Sequence, residues 1–114
     1  MSFRWPVKDP DETLDYSVDW SRFLGSATIS SVVWSVQTPE IGKTTLAAGQ
    51  TLTTASSSTV TDSIQNVSQT NTNTVATINI AGGVLNREYT FTCKVTDSNA
   101  KVAERTIKLV IREK

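Results

Sequence analysis

From residue 89 to residue 96 the chain alternates without a break, with Tyr89, Phe91, Cys93 and Val95 in one phase and Thr90, Thr92, Lys94 and Thr96 in the other. Side chains two apart project from the same face of a strand, so this period buries one face, wets the other and excludes a helix. The run stops at Asp97-Ser98-Asn99, residues that turn the chain by bonding their own backbone. It resumes through Ala103, Arg105, Ile107, Leu109 and Ile111, with Glu104, Thr106, Lys108 and Arg112 interleaved and Val110 as the apolar exception. Two such runs joined by a short turn specify an antiparallel hairpin. A hairpin with one apolar face has to lie on a second layer to be stable.

The rest of the chain supplies that layer. Leu14, Tyr16, Val18 and Trp20 share one phase, with Asp15, Ser17 and Asp19 in the other. A second run over residues 29–36 places Val32, Trp34 and Val36 opposite Val33 and Ser35 and reads as a central strand. Weaker strands are expected over residues 46–52, 60–67 and 74–80, in a stretch where Asp62 is the only charge between Lys43 and Arg87. Gly82-Gly83 ends the third of these. Serine and threonine make up 31 of the 114 residues, and Thr, Val and Ile favour pleated strands through their branched Cβ. The expected fold is all-β, an immunoglobulin-like two-sheet antiparallel β-sandwich of about seven strands. It is expected over residues 13–114, preceded by an extended N-terminal arm over residues 1–12. Trp34 on an early central strand and the 89–97 run on a late one match the paired central strands of that superfold. The bridge between sheets found in antibody domains needs two cysteines, and this chain has one, so Cys93 is read as a small apolar core residue.

Composition removes whole classes of chemistry. With no histidine and a single cysteine, the chain lacks the commonest general base, the commonest zinc ligand and any set of thiolates. No catalytic residue, no cofactor and no metal are expected. The formal net charge is zero, which argues against nucleic acid, since phosphate binding needs clustered Lys and Arg. No run approaches the roughly 20 apolar residues of a membrane helix, and residues 1–22 hold no apolar run of signal-peptide length, so synthesis and assembly are expected in the cytoplasm. The charge is segregated. Arg4, Lys8 and Arg22 face Asp9, Asp11, Glu12, Asp15 and Asp19 near the start, whereas residues 87–114 are net basic, so pairing the first and last strands brings opposite charges together.

Three features invite a functional reading. Asp9, Asp11, Glu12 and Asp15 are spaced as hard-cation ligands or a hydrolytic pair could be, but they lack the glycine and terminal Glu of a calcium loop; a proline-rigidified turn feeding the first strand is the simpler reading. Gly42-Lys43-Thr44 lacks the preceding glycine of a phosphate loop. Phe3 and Trp5 lie before Pro6 and outside any alternating run, where they can either insert into a neighbouring subunit or seal one end of their own core. Phe3, Trp5, Pro6, Asp9 and Asp11 are the candidate partner contacts.

The opening Trp5-Pro6-Val7-Lys8-Asp9-Pro10-Asp11-Glu12-Thr13-Leu14-Asp15-Tyr16-Ser17-Val18-Asp19-Trp20 resembles the start of small tailed-bacteriophage virion proteins of the fiber-tail adaptor, or phage fiber, type. The likeness continues in Ser31, Trp34 and Val36, through residues 83–95, and at Glu104-Arg105. The resemblance implies a non-enzymatic structural protein of a phage particle, assembled in the host cytoplasm, present in several copies and bound to other virion proteins of tail, fiber or capsid. Within the structural class the alternative is a decoration protein that cements the capsid. From another class, the alternative is a carbohydrate-binding sandwich that recognises a host surface through stacked Trp and Tyr.

Overall fold

The computed structural model describes residues 3–38, 42–52 and 63–113. In chain order its elements are β1 (Phe3–Arg4), β2 (Thr13–Asp19), a one-turn helix α1 (Ser21–Leu24), β3 (Ile29–Gln37), β4 (Thr44–Thr45), β5 (Gln65–Asn71), β6 (Val75–Ala81), β7 (Glu88–Asp97) and β8 (Val102–Val110). Strands β1-β8-β7-β3-β4 form one sheet and β2-β6-β5 the other. This is the strand order of the immunoglobulin-like sandwich, with the first strand laid parallel against the last.

The hairpin foreseen at the carboxy end is β7 and β8, in continuous register from Glu88↔Val110 to Thr96↔Val102. Asp97 makes its turn: Oδ1 accepts the amides of Asn99 (2.8 Å) and Lys101 (2.9 Å), which holds Ala100 at φ 64°. On the other side β7 pairs with β3, so that Trp34 stands opposite Cys93 and Val36 opposite Phe91. The inner faces of the two sheets then meet. Trp34, Val36, Tyr89, Phe91, Cys93, Val95, Ile107 and Leu109 pack against Tyr16, Val18, Ala76, Ile78 and Ile80. Each of the core residues expected from alternation, Trp20, Trp34, Tyr89, Phe91, Cys93 and Ile107, is at most 2% exposed.

Three local features depart from the periodic reading. Trp20 is buried, but from the corner after β2: Asp19 Oδ1 accepts the Ser21 amide at 2.9 Å, α1 follows, and Trp20 and Leu24 turn inward together. Residues 46–52 are a loop, because a turn at Ala47–Gln50 lets Leu46 and Leu52 drop into the core from both ends. The strand expected over residues 60–67 begins in the structure at Gln65, and its earlier part lies outside the described residues. A bulge between Asn66 and Ser68 shifts the phase there, so Asn66 is buried and Val67 exposed. The segment read as an extended arm is extended, but it lies along its own domain. Phe3 and Arg4 pair with Ile107 and Lys108, and Lys8 bridges to Ile111.

Trp34→Ala is expected to lower the unfolding free energy by about 3–5 kcal/mol, as for other large-to-small changes in a close-packed core. Val33→Ala, one residue away on the exposed face, should change it by about 0.5 kcal/mol or less. Urea unfolding of both variants checks the alternation; equal effects would contradict it.

Candidate functional site

The amino-terminal segment is where the motif residues come together. β1 adds to the edge of β8, and the Trp5 amide donates to the Lys108 carbonyl at 2.9 Å. That direction puts the half-buried Trp5 ring between the sheets, stacked on Tyr16 with centroids 4.7 Å apart and planes 24° apart. Phe91 (5.6 Å) and Trp34 (5.9 Å) complete the aromatic cluster. Such pairs contribute about 0.5–1.5 kcal/mol each beyond the area they bury. Trp5 Nε1 also donates to the Ser17 carbonyl of β2 at 3.4 Å, and the Tyr16 hydroxyl donates to the Pro6 carbonyl at 3.2 Å. The segment thus ties the edge of one sheet to the edge of the other. Burial, and secondarily the charge of Glu12, push the Tyr16 phenol up to about 12.

Lys-Asp-Pro-Asp-Glu is a closed turn. The Asp9 amide donates to Glu12 Oε1 at 2.9 Å, the Asp11 amide to Asp9 Oδ1 at 2.9 Å, and the Glu12 amide to the Asp9 carbonyl at 3.0 Å. The reciprocal bonds between Asp9 and Glu12 resemble a capping box. Lys8 is fully buried, a position that an ammonium tolerates only when it is well bonded. Its Nζ donates to the carbonyls of Asp9 (2.9 Å) and Gly82 (2.6 Å). Gly82 has φ +73°, and a Cβ there would overlap the Ser63 carbonyl, so only glycine lets this corner receive the lysine. The backbone of Lys8 is held as well, its amide by Val110 (3.1 Å) and its carbonyl by Arg112 (2.8 Å).

Between the two edges lies a cleft of about 290 Å³ lined by Trp5, Ser17, Val18, Asp19, Arg105 and Ile107 along with Arg4. Arg105 closes its far side, with its guanidinium 4.7 Å from the Trp20 ring centroid and Nη1 donating to the Asp19 carbonyl at 3.2 Å. The Ser21 backbone amide, followed by its side chain, holds the Asp19 carboxyl below the usual carboxylate range. Cys93 lies beneath, in the inner face. Burial pushes its thiol up to about 11, outweighing the Trp20 indole N–H and the Arg105 charge, which both favour the thiolate.

Of the residues singled out for partner contact, the structure brings Trp5, Pro6, Asp9 and Asp11 into one short segment. Pro6 and Asp11 are exposed, and Trp5 and Asp9 are half-buried. Phe3 is placed by its backbone in β1. The carboxylates of Asp9 and Glu12 are engaged with the turn's own amides, and Asp15 stands apart on the exposed face of β2. Sequence reasoning missed the structural parts of Lys8 and Gly82. The signal was a lysine inside a Pro-bounded turn together with a double glycine, but only the fold joins residues that far apart. The described aromatic rings are mostly in or against the core, Phe23 being the one at the surface.

The sequence model of one protein family, described as podophage GP4 fiber-tail adaptor protein gp77, matches the chain in two overlapping segments, residues 8–48 and 41–110. No curated protein matches it.

The two raised values predict how stability depends on pH. The Cys93 thiol moves from 9.0 to about 11 and the Tyr16 phenol from 10.0 to about 12, so the folded chain keeps protons that the unfolded chain has released. Their contribution is present at neutral pH and is lost as the pH rises, from 9 to 11 for Cys93 and from 10 to 12 for Tyr16. For Cys93 the slope is at most about 1.4 kcal/mol per pH unit. Denaturant titrations from pH 8 upward should show the decline, and Cys93→Ala should remove its lower part; a flat profile in the unmodified chain would contradict burial of the thiol.

Proposed function

The chain belongs to the podophage GP4 fiber-tail adaptor family, and from that premise we propose that it joins a fiber to the tail as a small β-sandwich present in several copies. It is a structural protein of the phage particle and binds other virion proteins. The observation that carries the reading is the reach of the family match, from Lys8 to Val110, which takes in both sheets and the motif turn.

A joint of this kind works by holding shape. Rigid sheets display side chains at fixed spacing, and repeated copies multiply a modest contact at each one. The amino-terminal segment that holds Phe3, Trp5, Pro6, Asp9 and Asp11 is the proposed partner contact, with Pro6 and Asp11 on its exposed side. Trp5 and Lys8 fasten the segment to the domain, so its exposed side is ordered before a partner arrives, which lowers the entropic cost of binding. Pro6 and Pro10 restrict the chain further. Exposed Pro6 and Val7 offer apolar contact and Asp11 a charge at the rim.

Two measurements test this. Phage made without the chain should yield particles that package DNA but lack fibers; fully fibered particles would refute the adaptor role. Asp11→Lys combined with Pro6→Ala should leave the melting temperature within about 2 °C, as surface changes do, while reducing incorporation into particles. Deleting residues 2–8 removes Trp5 and Lys8 as well, and should lower the melting temperature substantially. Normal incorporation of the double variant would remove the segment from the interface.

A further inference from the structure

The two sides of the sandwich are finished differently. On one side the edges of β2 and β8 are joined through Trp5, and β2 carries Asp15 and Asp19 outward, the kind of charge that discourages a foreign strand. On the other side β3 runs nine residues, but β4 covers it only at Ser35 and Val36. After the Leu46 amide bonds the Trp34 carbonyl at 2.9 Å, the chain turns away.

Val32 is therefore left at the edge. Bonding groups alternate along a strand, so Val32, two residues from Trp34, directs its amide and carbonyl to the same side. Among the described residues no strand lies there. The Val32 carbonyl is met by a side chain, Gln69 Nε2 from β5, at 3.4 Å. Beside it is a notch of about 130 Å³ lined by Val32, Val33, Trp34, Leu46, Ala47 and Gln69 along with Thr45. That is several times the about 30 Å³ of one water. Of its lining residues Val33 is 42% exposed. No charged residue occurs in β3, in residues 44–52 or in β5, so this edge has none of the guards that the opposite side has.

We propose that the edge of β3 at Val32, uncovered among the described residues, accepts an extended, uncharged segment of a neighbouring virion protein, which adds as a strand and seats one aliphatic side chain in the notch. The inference rests on the adaptor reading. Backbone pairing supplies the affinity and the notch the selectivity, as in other cases of strand addition. The incoming strand takes over the Val32 carbonyl from the Gln69 amide. The absence of charge on all three walls makes an uncharged occupant the one without a desolvation penalty. The notch lies between the Leu46–Ala47 corner and Gln69, where a side chain of a segment laid along β3 can enter it.

The test uses particles assembled without this chain, mixed with the purified chain, and follows amide hydrogen exchange in free and particle-bound protein. The Val32 amide should exchange quickly in the free chain and at least about tenfold more slowly once bound. Val33→Lys and Ala47→Lys, both at exposed positions, should keep the melting temperature and lower particle binding by about tenfold. Normal binding by both lysine variants with Val32 still exchanging quickly would overturn the proposal and leave the adaptor reading intact. Slow exchange of Val32 in the free dilute chain would overturn it by assigning the edge to the chain's own residues. Slow exchange that appears only as the free chain dimerises would overturn it in favour of a second copy. If the unmodified chain does not bind the particles at all, the adaptor reading fails and this inference falls with it.

Discussion

Everything in this molecule depends on two sheets held face to face with no covalent tie between them. The single cysteine lies on β7, where an immunoglobulin domain would place one half of its bridge, and it is used as packing. In place of a bridge, Trp34 and Phe91 on one sheet meet Tyr16 and Ile78 on the other, and Trp5 inserts from the edge against three of those rings. Contact of this kind is non-directional in its driving force but close-packed in its geometry, so the sheets keep one orientation. A rigid connector between larger bodies needs that property more than it needs a cleft.

The amino-terminal segment shows how a short stretch of sequence can serve stability with one side and leave the other for the proposed partner contact. Its inner side is spent on the domain through the Trp5 stack, the Tyr16–Pro6 bond and the buried Lys8 ammonium. Its outer side remains at the surface, and the same bonds that seat the inner side fix the outer one. The two lateral edges consequently differ in character. One is tied and carries charges of both signs, and the other is uncharged and, among the described residues, incompletely covered. An object with two unlike sides can join two unlike partners, which a molecule that must bridge components requires.

Much of this was legible beforehand. The β7–β8 hairpin, its turn at Asp97 and the burial of Trp34, Phe91 and Ile107 all follow from period-two patterning, because a half-buried strand has to separate its side chains by face. The motif at residues 5–20 carried the family resemblance directly. The middle of the chain was read less well, for a physical reason. The bulge at Asn66 reverses the phase of β5, and the loop over residues 46–52 buries Leu46 and Leu52 without a strand, so apolar spacing there reports core contact but not conformation.

Local sterics and alternation account for the all-β architecture, the long strands, the turns at Asp97 and Pro10, and a core without histidine or disulfide chemistry. Which distant groups meet depends on how the sheets pack. Nothing local says that Lys8 will bond the carbonyl of Gly82, that Trp5 will stack on Tyr16 across the edge of the sandwich, or that β4 will stop short and leave Val32 with the Gln69 amide. Those contacts join residues far apart along the chain, and they form only where the twist and register of two packed sheets bring the edges within hydrogen-bonding reach.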